Sequence, residues 1–486
     1  MQPQNLLIIM SDQHSRGAMG CYGHPFVRTP HLDRLAAQGS RFTACWTPSP
    51  VCIPARASFA TGKYIHQIGF WDNADPYDGS IPSWHHRLRD AGHQVVSIGK
   101  LHFRSDDDDC GFSQSIIPMQ VVEGKGDLLG LVRDDPPVRG AAYKMSRMAG
   151  PGESAYTQYD REIAARAQIW LREEAQKFRD KPWVLFVSFV APHYPLTAPP
   201  EHFYRYFDDP ALPMPRLYAE PERPDHPFVR DYARTFNFDD YFETPTDIRR
   251  AVAGYFGLCS FMDEQAGKVL HALAASDFAA STRIVYTSDH GDAVGKRGLW
   301  GKSTLYEETA GVPLIVAGDG IPQGRTIETA ASLVDIYPFI IDCVGESGTG
   351  MIEPSHPGVS IARLANNERP TRTVLSEYHG MGSTTGAFAI RNGRFKYVHY
   401  VKYPPQLFDL ERDPDETSDL TGDPGHAKVL TECAALLRAL LSPEAVDARA
   451  KQRQTAQLER YGGREQVIAR GDLGFSPPPG IRAEFH

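Results

Sequence analysis

Residues 6–13 read LLIIMSDQ: five apolar side chains in unbroken succession, then Ser11, Asp12 and Gln13. The same grammar returns at 284–291, IVYTSDHG, where the apolar run leads into Ser288, Asp289, His290 and Gly291. Two further runs behave alike. Residues 95–98 (VVSI) lead into Gly99, Lys100, Leu101 and His102, and residues 184–190 (VLFVSFV) into Ala191, Pro192 and His193. Continuous apolar runs of this length suit strands buried on both faces of a parallel sheet. In open α/β sheets ligands bind outside the carboxyl ends of the strands, so four runs ending in reactive side chains point to one shared site.

Between these runs the period changes. Ile163, Ala167, Trp170, Leu171, Ala175 and Phe178 recur at helical steps over 160–178, as do Tyr255, Leu258, Met262, Val269 and Leu273 over 251–273. Alternation of strand and helix predicts an α/β unit to about residue 345. Two stretches escape it: 113–154, rich in Gly, Arg and Asp, and 196–247, rich in Pro and aromatic residues. Long irregular stretches in a compact enzyme are lids, binding loops or insertions, and the second is a candidate to shape a pocket.

Beyond residue 365 the texture shifts to VLSEYH, AFAIRNGRFKYVHYV and PQLFDLERD, an antiparallel meander with Asn392-Gly393 as a turn, followed by a helix over about 426–441. The expected organisation is a catalytic α/β domain over 1–365, a smaller sheet-plus-helix domain over 366–456, and an extended tail over 457–486. Gly462-Gly463 and Pro477-Pro478-Pro479 in that tail predict a segment wrapped over the body or onto a neighbouring subunit. No internal repeat is present.

The 486 residues are 41% hydrophobic and 23% charged with a formal charge of -9, which argues against a nucleic-acid partner while leaving room for a locally cationic cleft. Seven cysteines, an odd number with no C-x-x-C pair, fit a reducing compartment. The opening MQPQNLLIIMSD lacks a basic n-region and reads as a strand, not a signal peptide, and no apolar run reaches membrane-spanning length. The expectation is a soluble, cytoplasmic protein with no membrane partner.

Asp12, Gln13, Asp289 and His290 make a hard, oxygen-dominated set suited to Ca²⁺, Mn²⁺ or Mg²⁺. One Asp after a strand is commonly a helix cap; the repeat of the same context at two distant positions turns the reading towards metal. Arg56, Lys100, His102, His193 and Lys302 supply cations and proton-transferring groups of the kind that hold a tetrahedral oxyanion and protonate a leaving alkoxide. At 49–64 the chain reads SPVCIPARASFATGKY, with Pro54 and Arg56 at fixed offsets from Cys52 and Gly62 closing the segment.

As a set these residues resemble a type I sulfatase of the alkaline phosphatase superfamily. The resemblance is carried by Cys52-Ile53-Pro54-Ala55-Arg56 with Gly62, Gly99-Lys100-Leu101-His102, the His193 segment, and Ser288-Asp289-His290-Gly291-Asp292 through Lys302. Asp72-Asn73-Ala74 and Arg297-Gly298-Leu299-Trp300 make choline-sulfatase-like enzymes the nearest in look. It implies a large mixed, mostly parallel sheet sandwiched by helices, with a smaller C-terminal α+β domain built on an antiparallel sheet.

The resemblance further implies that a formylglycine-generating enzyme oxidises Cys52 to formylglycine. The hydrated aldehyde offers two hydroxyls on one carbon: one attacks sulfur, and the other later collapses the hemiacetal and expels sulfate. One divalent cation, Ca²⁺ or Mn²⁺, would be held by Asp12, Gln13, Asp289, His290 and the modified Cys52. Arg56 would orient the hydrate, Lys100 and Lys302 clamp the sulfate, His193 or Lys302 protonate the leaving oxygen, and His102 assist hemiacetal collapse. Asn73 would contact a sulfate oxygen, and Glu377 beside Tyr378 is the candidate acid for a cationic substrate group. The implied activity is hydrolysis of a small sulfate ester by a homo-oligomer joined through its tail. Gln13 and His290 stand where many members of the family carry Asp and Asn, a pattern shared with phosphonate monoester hydrolases. Phosphonate monoester or phosphodiester hydrolysis is therefore the alternative, and the Lys100, His102 pair favours the sulfatase.

Overall fold

The computed structural model describes residues 2–366 and 372–485. The domain boundary expected at 365/366 abuts residues 367–371, which lie outside the described residues.

The first apolar run is strand β1 (Asn5–Asp12), buried along its whole length. Its side chains alternate between two cores, as a strand's must. Leu7 and Ile9 enter the core that holds Ile163, Tyr255 and Phe261, while Leu6, Ile8 and Met10 enter the one that holds Ala57, Phe59 and Ile340. Each such buried side chain contributes roughly 1.5–3 kcal/mol of transfer free energy, so polar residues are tolerated only where the strand leaves the sheet.

Seven further strands complete the sheet: β2 (Gly39–Phe42), β3 (Val95–Lys100), β4 (Gln114–Met119), β5 (Val184–Pro192), β6 (Thr282–Ser288), β7 (Leu314–Ala317) and β8 (Arg325–Ile327). Their spatial order is β8-β2-β7-β6-β1-β5-β3-β4. Every neighbouring pair is parallel except those made by β7, which runs antiparallel to both β6 and β2. The sheet is thus mixed and mostly parallel, as the resemblance implied.

Helix α1 (Cys52–Thr61) packs on one face with all ten residues buried. Pro54 falls in its first turn, where a missing N–H is harmless. The helix stops at Gly62, whose φ of +69° places it in the left-handed region and lets its N–H reach Ser58 O at 2.7 Å. A Cβ there would sit 2.3 Å from His356 Nε2 and 2.7 Å from Tyr337, so glycine is demanded by conformation and by space. On the opposite face lie α2 (Ala155–Ile169) and the 30-residue α3 (Pro245–Ala274).

The C-terminal meander forms a four-stranded antiparallel sheet: β9 (Thr373–Tyr378), β10 (Ala387–Asn392), β11 (Phe395–Tyr400) and β12 (Tyr403–Asp409). Helices α4 (Ala427–Leu440), α5 (Pro443–Arg460) and α6 (Gly463–Ala469) follow. About a third of the segment read as an extended tail from 457, residues 457–460 and 463–469, is therefore helical. Gly462 and Gly463, at φ +93° and +84°, make the joint between α5 and α6 instead of ending regular structure. Irregular chain begins at Gly471 and runs back across the carboxyl edge of the large sheet. All seven cysteines are free thiols, and no helix among the described residues is long and apolar enough to cross a membrane.

Candidate active site

Strand register builds the site. Ser11 pairs with Ser288 in the β1–β6 ladder, so Asp12 and Asp289 emerge side by side. Ser188 of β5 stands opposite both Met10 and Gly99, which brings Lys100 to the same edge. The edge that carries His193 is fixed by Asp160 of α2, whose carboxyl accepts the N–H groups of Val190 and Ala191, each at 2.8 Å.

Cys52 is the first residue of α1, placing its side chain where the helix turns unpaired N–H groups and the positive end of its dipole towards the strand ends. Arg56, four residues on, lies on the same face. Its guanidinium joins four strand ends: Nε to Asp289 Oδ2 (2.9 Å), Nη2 to Asp12 Oδ2 (3.1 Å), and Nη1 to Lys100 O (2.9 Å) and Ser188 Oγ (3.0 Å). Its hydrogen bonds go to the carboxylates and strand ends, and none goes to Cys52.

Asp12, Cys52, Asp289 and His290 are buried, with ligand atoms all within 4.8 Å of one another. His290 Nδ1 lies 3.0 Å from Gly291 O, which can only accept. A proton therefore sits on Nδ1, and in the neutral ring Nε2 offers its lone pair 3.1 Å from Cys52 Sγ. Burial lowers the ring's pKa, but Asp289 and the Cys52 sulfur outweigh burial and raise it. Gln13 donates Nε2–H to Asp292 Oδ2 at 2.5 Å, while its Oε1 is buried with no hydrogen-bond partner. A buried carbonyl oxygen left open on the residue after Asp12, whose backbone N–H meets Asp289 Oδ1 at 3.1 Å, fits a divalent cation as its missing partner.

Cations enclose the other side of Cys52. Lys302 Nζ lies 2.7 Å from Cys52 Sγ and 3.0 Å from His193 Nε2, and Lys100 Nζ lies 2.6 Å from Asp12 Oδ2. Burial and the Asp12 carboxylate push the Cys52 thiol up, but Lys302, His290 and Lys100 together bring it below its ordinary value. Burial pulls the Lys302 ammonium down, but the Cys52 sulfur, Tyr194 and Asp12 together outweigh this and raise it. Burial, then the Lys302 charge, holds His193 well below the usual imidazole range, and its Nδ1–H is fixed on Tyr194 O at 2.6 Å. His102 is likewise held neutral by burial and the Lys100 charge; Nε2 meets Ser476 Oγ at 2.8 Å, and Nδ1 is buried without a partner.

A narrow cavity of about 80 Å³ opens over this cluster, with Cys52, Asn73, Lys100, His102, His193 and Lys302 at its inner end. Asn73 Oδ1 accepts the Ile53 N–H at 3.2 Å, tying it to the start of α1. The aromatic stretch over 196–247 does shape the pocket, through Tyr232, Phe236 and Phe238.

Of the residues singled out in the sequence, Glu377 does not belong here. It is fully buried away from the cavity, its carboxylate 2.6 Å from His66 Nδ1 and 3.4 Å from His379 Nε2. Burial raises it, but the two histidines bring its pKa down to about 2. Successive residues of a strand face opposite ways, so adjacency to Tyr378 did not put Glu377 in the same place.

The sequence reading also missed an outer wall. Arg139 and Lys144 from 113–154, and Asp472 to Ser476 beyond α6, line the cavity mouth. Arg139 joins Asp127 (3.0 Å) to Asp472, pinning the C-terminal segment over the pocket. The only available signal was the length of the irregular stretches.

The sulfatase family model matches residues 4–346, and a model described as N-sulphoglucosamine sulphohydrolase, C-terminal, matches residues 295–442. A choline-sulfatase of Rhizobium meliloti (strain 1021) is 32% identical over 466 residues, covering 94% of this chain and 90% of that protein. A solved 2-O GAG sulfatase superposes with a TM-score of 0.70 at 20% identity, covering 99% of this chain and 100% of that one. A phosphonate monoester hydrolase of Agrobacterium radiobacter gives a TM-score of 0.69 at 22% identity, covering 99% and 100%. At such identities these two structures speak for the fold.

Proposed function

The chain belongs to the sulfatase family and is a sulfuric ester hydrolase, and on that footing we propose that it cleaves a small sulfate monoester with formylglycine at position 52 and one divalent cation. The observation that carries this reading is the closeness of Asp12, Cys52, Asp289 and His290, with the open Oε1 of Gln13 on the residue after Asp12. Those five residues hold the cation, Ca²⁺ or Mn²⁺, which when bound polarises a sulfate oxygen and lowers the pKa of the hydrate. Formylglycine supplies a hydrated aldehyde as nucleophile, and Cys52 Sγ stands for its attacking oxygen.

The chain's own groups then divide the work. Lys100 and Lys302 hold sulfate oxygens, where their charge meets the negative charge that grows in the transition state. Because His193 directs Nδ1–H to Tyr194 O, its Nε2 can only accept from Lys302 while the ring is neutral. The proton for the leaving oxygen therefore resides on Lys302, with His193 keeping its ammonium aimed across the scissile bond. His102, with an open buried Nδ1, is placed to take a proton during release of sulfate. Arg56 holds the carboxylates apart and in register, an indirect role compared with orienting the hydrate itself. Asn73 completes the sulfate contacts.

Maturation by a formylglycine-generating enzyme and a cytoplasmic setting belong to the same reading, the latter supported by seven free thiols. So does a homo-oligomer joined through the C-terminal segment, whose Ile481 is 50% exposed. The second reading, a phosphonate monoester or phosphodiester hydrolase on the same site, is favoured by Gln13 and His290 in the ligand set. The test is kcat/KM for an aryl sulfate against an aryl phosphonate monoester with one leaving group, on protein co-produced with a formylglycine-generating enzyme. A sulfate preference is expected, and a phosphonate preference would establish the second reading.

A further inference from the structure

One cation at the cavity has no partner among the described residues. Lys144 is 2% exposed and lines the pocket, yet among the described residues its Nζ makes no hydrogen bond or ion pair. Its ammonium lies over two ring faces, 5.4 Å from the Tyr194 centroid and 5.6 Å from that of Phe475. The other buried cations of the site are satisfied. Lys100 meets Asp12, Lys302 meets Cys52, and Arg139 meets Asp127 and Asp472. Asp472 and Asp127, the carboxylates whose charges act on Lys144, are bonded to Arg139 instead.

Asp127 and Asp472 balance Arg139 and Lys144 in number, but a buried ammonium with no direct ion-pair partner is unfavourable. Burial brings its pKa down to about 7, with Asp472 opposing and Arg139 adding to the fall. An anion in the cavity would reverse that. The placement is apt for a substrate, because Lys302 also sits over the Tyr194 ring, at 5.6 Å. The two ammonium groups flank one aromatic side chain, and a small molecule with its sulfate at Lys302 can bring a second group to Lys144 within a few bonds.

We propose that Lys144 forms an anion subsite, so that the substrate carries a second anionic oxyacid group, a carboxylate or a further sulfate, beside the ester that is cleaved. This rests on the sulfatase reading for the position of the first sulfate. It also separates this pocket from one built for a quaternary ammonium, which would face an unpaired buried cation of its own sign.

Alkyl sulfonates test the subsite without turnover, since their C–S bond is not a sulfate ester. The probes are propane-1-sulfonate, 3-sulfopropanoate and 3-(trimethylammonio)propane-1-sulfonate, with dissociation constants measured by calorimetry on the full-length protein. The carboxylated probe should bind at least tenfold tighter than propane-1-sulfonate. Lys144→Met should abolish that preference while changing propane-1-sulfonate less than threefold, and Lys144→Arg should retain it. Thermal melts establish that both variants fold. Tightest binding of the trimethylammonio probe, an undiminished carboxylate preference in Lys144→Met, or no binding of any probe would overturn the proposal. Turnover of an aryl sulfate is read separately: its absence alongside an intact carboxylate preference would remove the sulfatase mechanism and leave the subsite standing.

Discussion

Replacing Arg56 with Met removes the guanidinium that hydrogen-bonds both the Asp12 and the Asp289 carboxylate. Asp12 and Asp289 are each 0% exposed, and Arg56 reaches them at 3.1 and 2.9 Å. Without it, Lys100 is the remaining cation within ion-pair distance of Asp12 apart from the titratable His290. Breaking a buried, hydrogen-bonded charge pair costs on the order of 3–5 kcal/mol. The lost bonds to Lys100 O and Ser188 Oγ add about 1 kcal/mol each. At about 2 °C per kcal/mol for a large domain, the melting temperature in EDTA should fall by roughly 10–14 °C. A divalent cation neutralises the same carboxylates, so millimolar Ca²⁺ or Mn²⁺ should restore more stability to the variant than it adds to the wild type. Arg56→Lys keeps the charge but loses the planar fork, and should fall between the two. Differential scanning fluorimetry with and without cation reads all three. A variant melting within about 1 °C of the wild type in EDTA would refute the claim that Arg56 holds these carboxylates in place.

Lys302→Ala should lower kcat by roughly 10²–10⁴, and the loss should be larger for an alkyl sulfate than for a nitrophenyl sulfate, whose leaving oxygen needs no proton. Equal losses on both would contradict proton donation by Lys302. Asp263 of α3 accepts N–H bonds from His31 and Leu32 at 3.1 and 2.8 Å, and burial pushes its pKa up to about 7. Its folded-state value lies above the unfolded carboxylate value of about 3.9, so its contribution is full below about pH 4 and is lost as pH rises through 7. Asp263→Asn should flatten the decline of the urea midpoint between those limits, and an unchanged slope would contradict the assignment.

The parts of the site that were legible share one property: each is fixed by a short-range rule. Asp12, Lys100, His193 and Asp289 follow apolar runs, because a strand buried on both faces carries its charged and titratable side chains where it leaves the sheet. Cys52 and Arg56 are four residues apart, so a helix puts them on one face whatever surrounds it. The C-terminal meander was readable from the turn at Asn392-Gly393, with Gly393 at φ +60°. Short strands such as Leu314–Ala317 and Arg325–Ile327 carry too few residues for a period to show, which hid the one antiparallel strand and the parallel edge strand beyond it.

Pairings distant in sequence were beyond reach altogether. Arg139 meets Asp472 across the chain, and nothing in either neighbourhood distinguishes them from surface charges. Lys144 differs from an exposed lysine only by the walls around it. Glu377 was misplaced because burial in the sheet, not its neighbour in sequence, decides its company. Gly462-Gly463 read as the end of order, whereas two glycines in the left-handed region also turn one helix into the next.

The central claim is that residue 52, once converted, is the nucleophile towards sulfur. The aryl sulfate and aryl phosphonate monoester pair, run on converted wild type and on Cys52→Ala, tests it most directly. The account predicts kcat/KM favouring the sulfate in the wild type and no turnover of either ester above background in Cys52→Ala. Sulfate turnover retained by Cys52→Ala would contradict it.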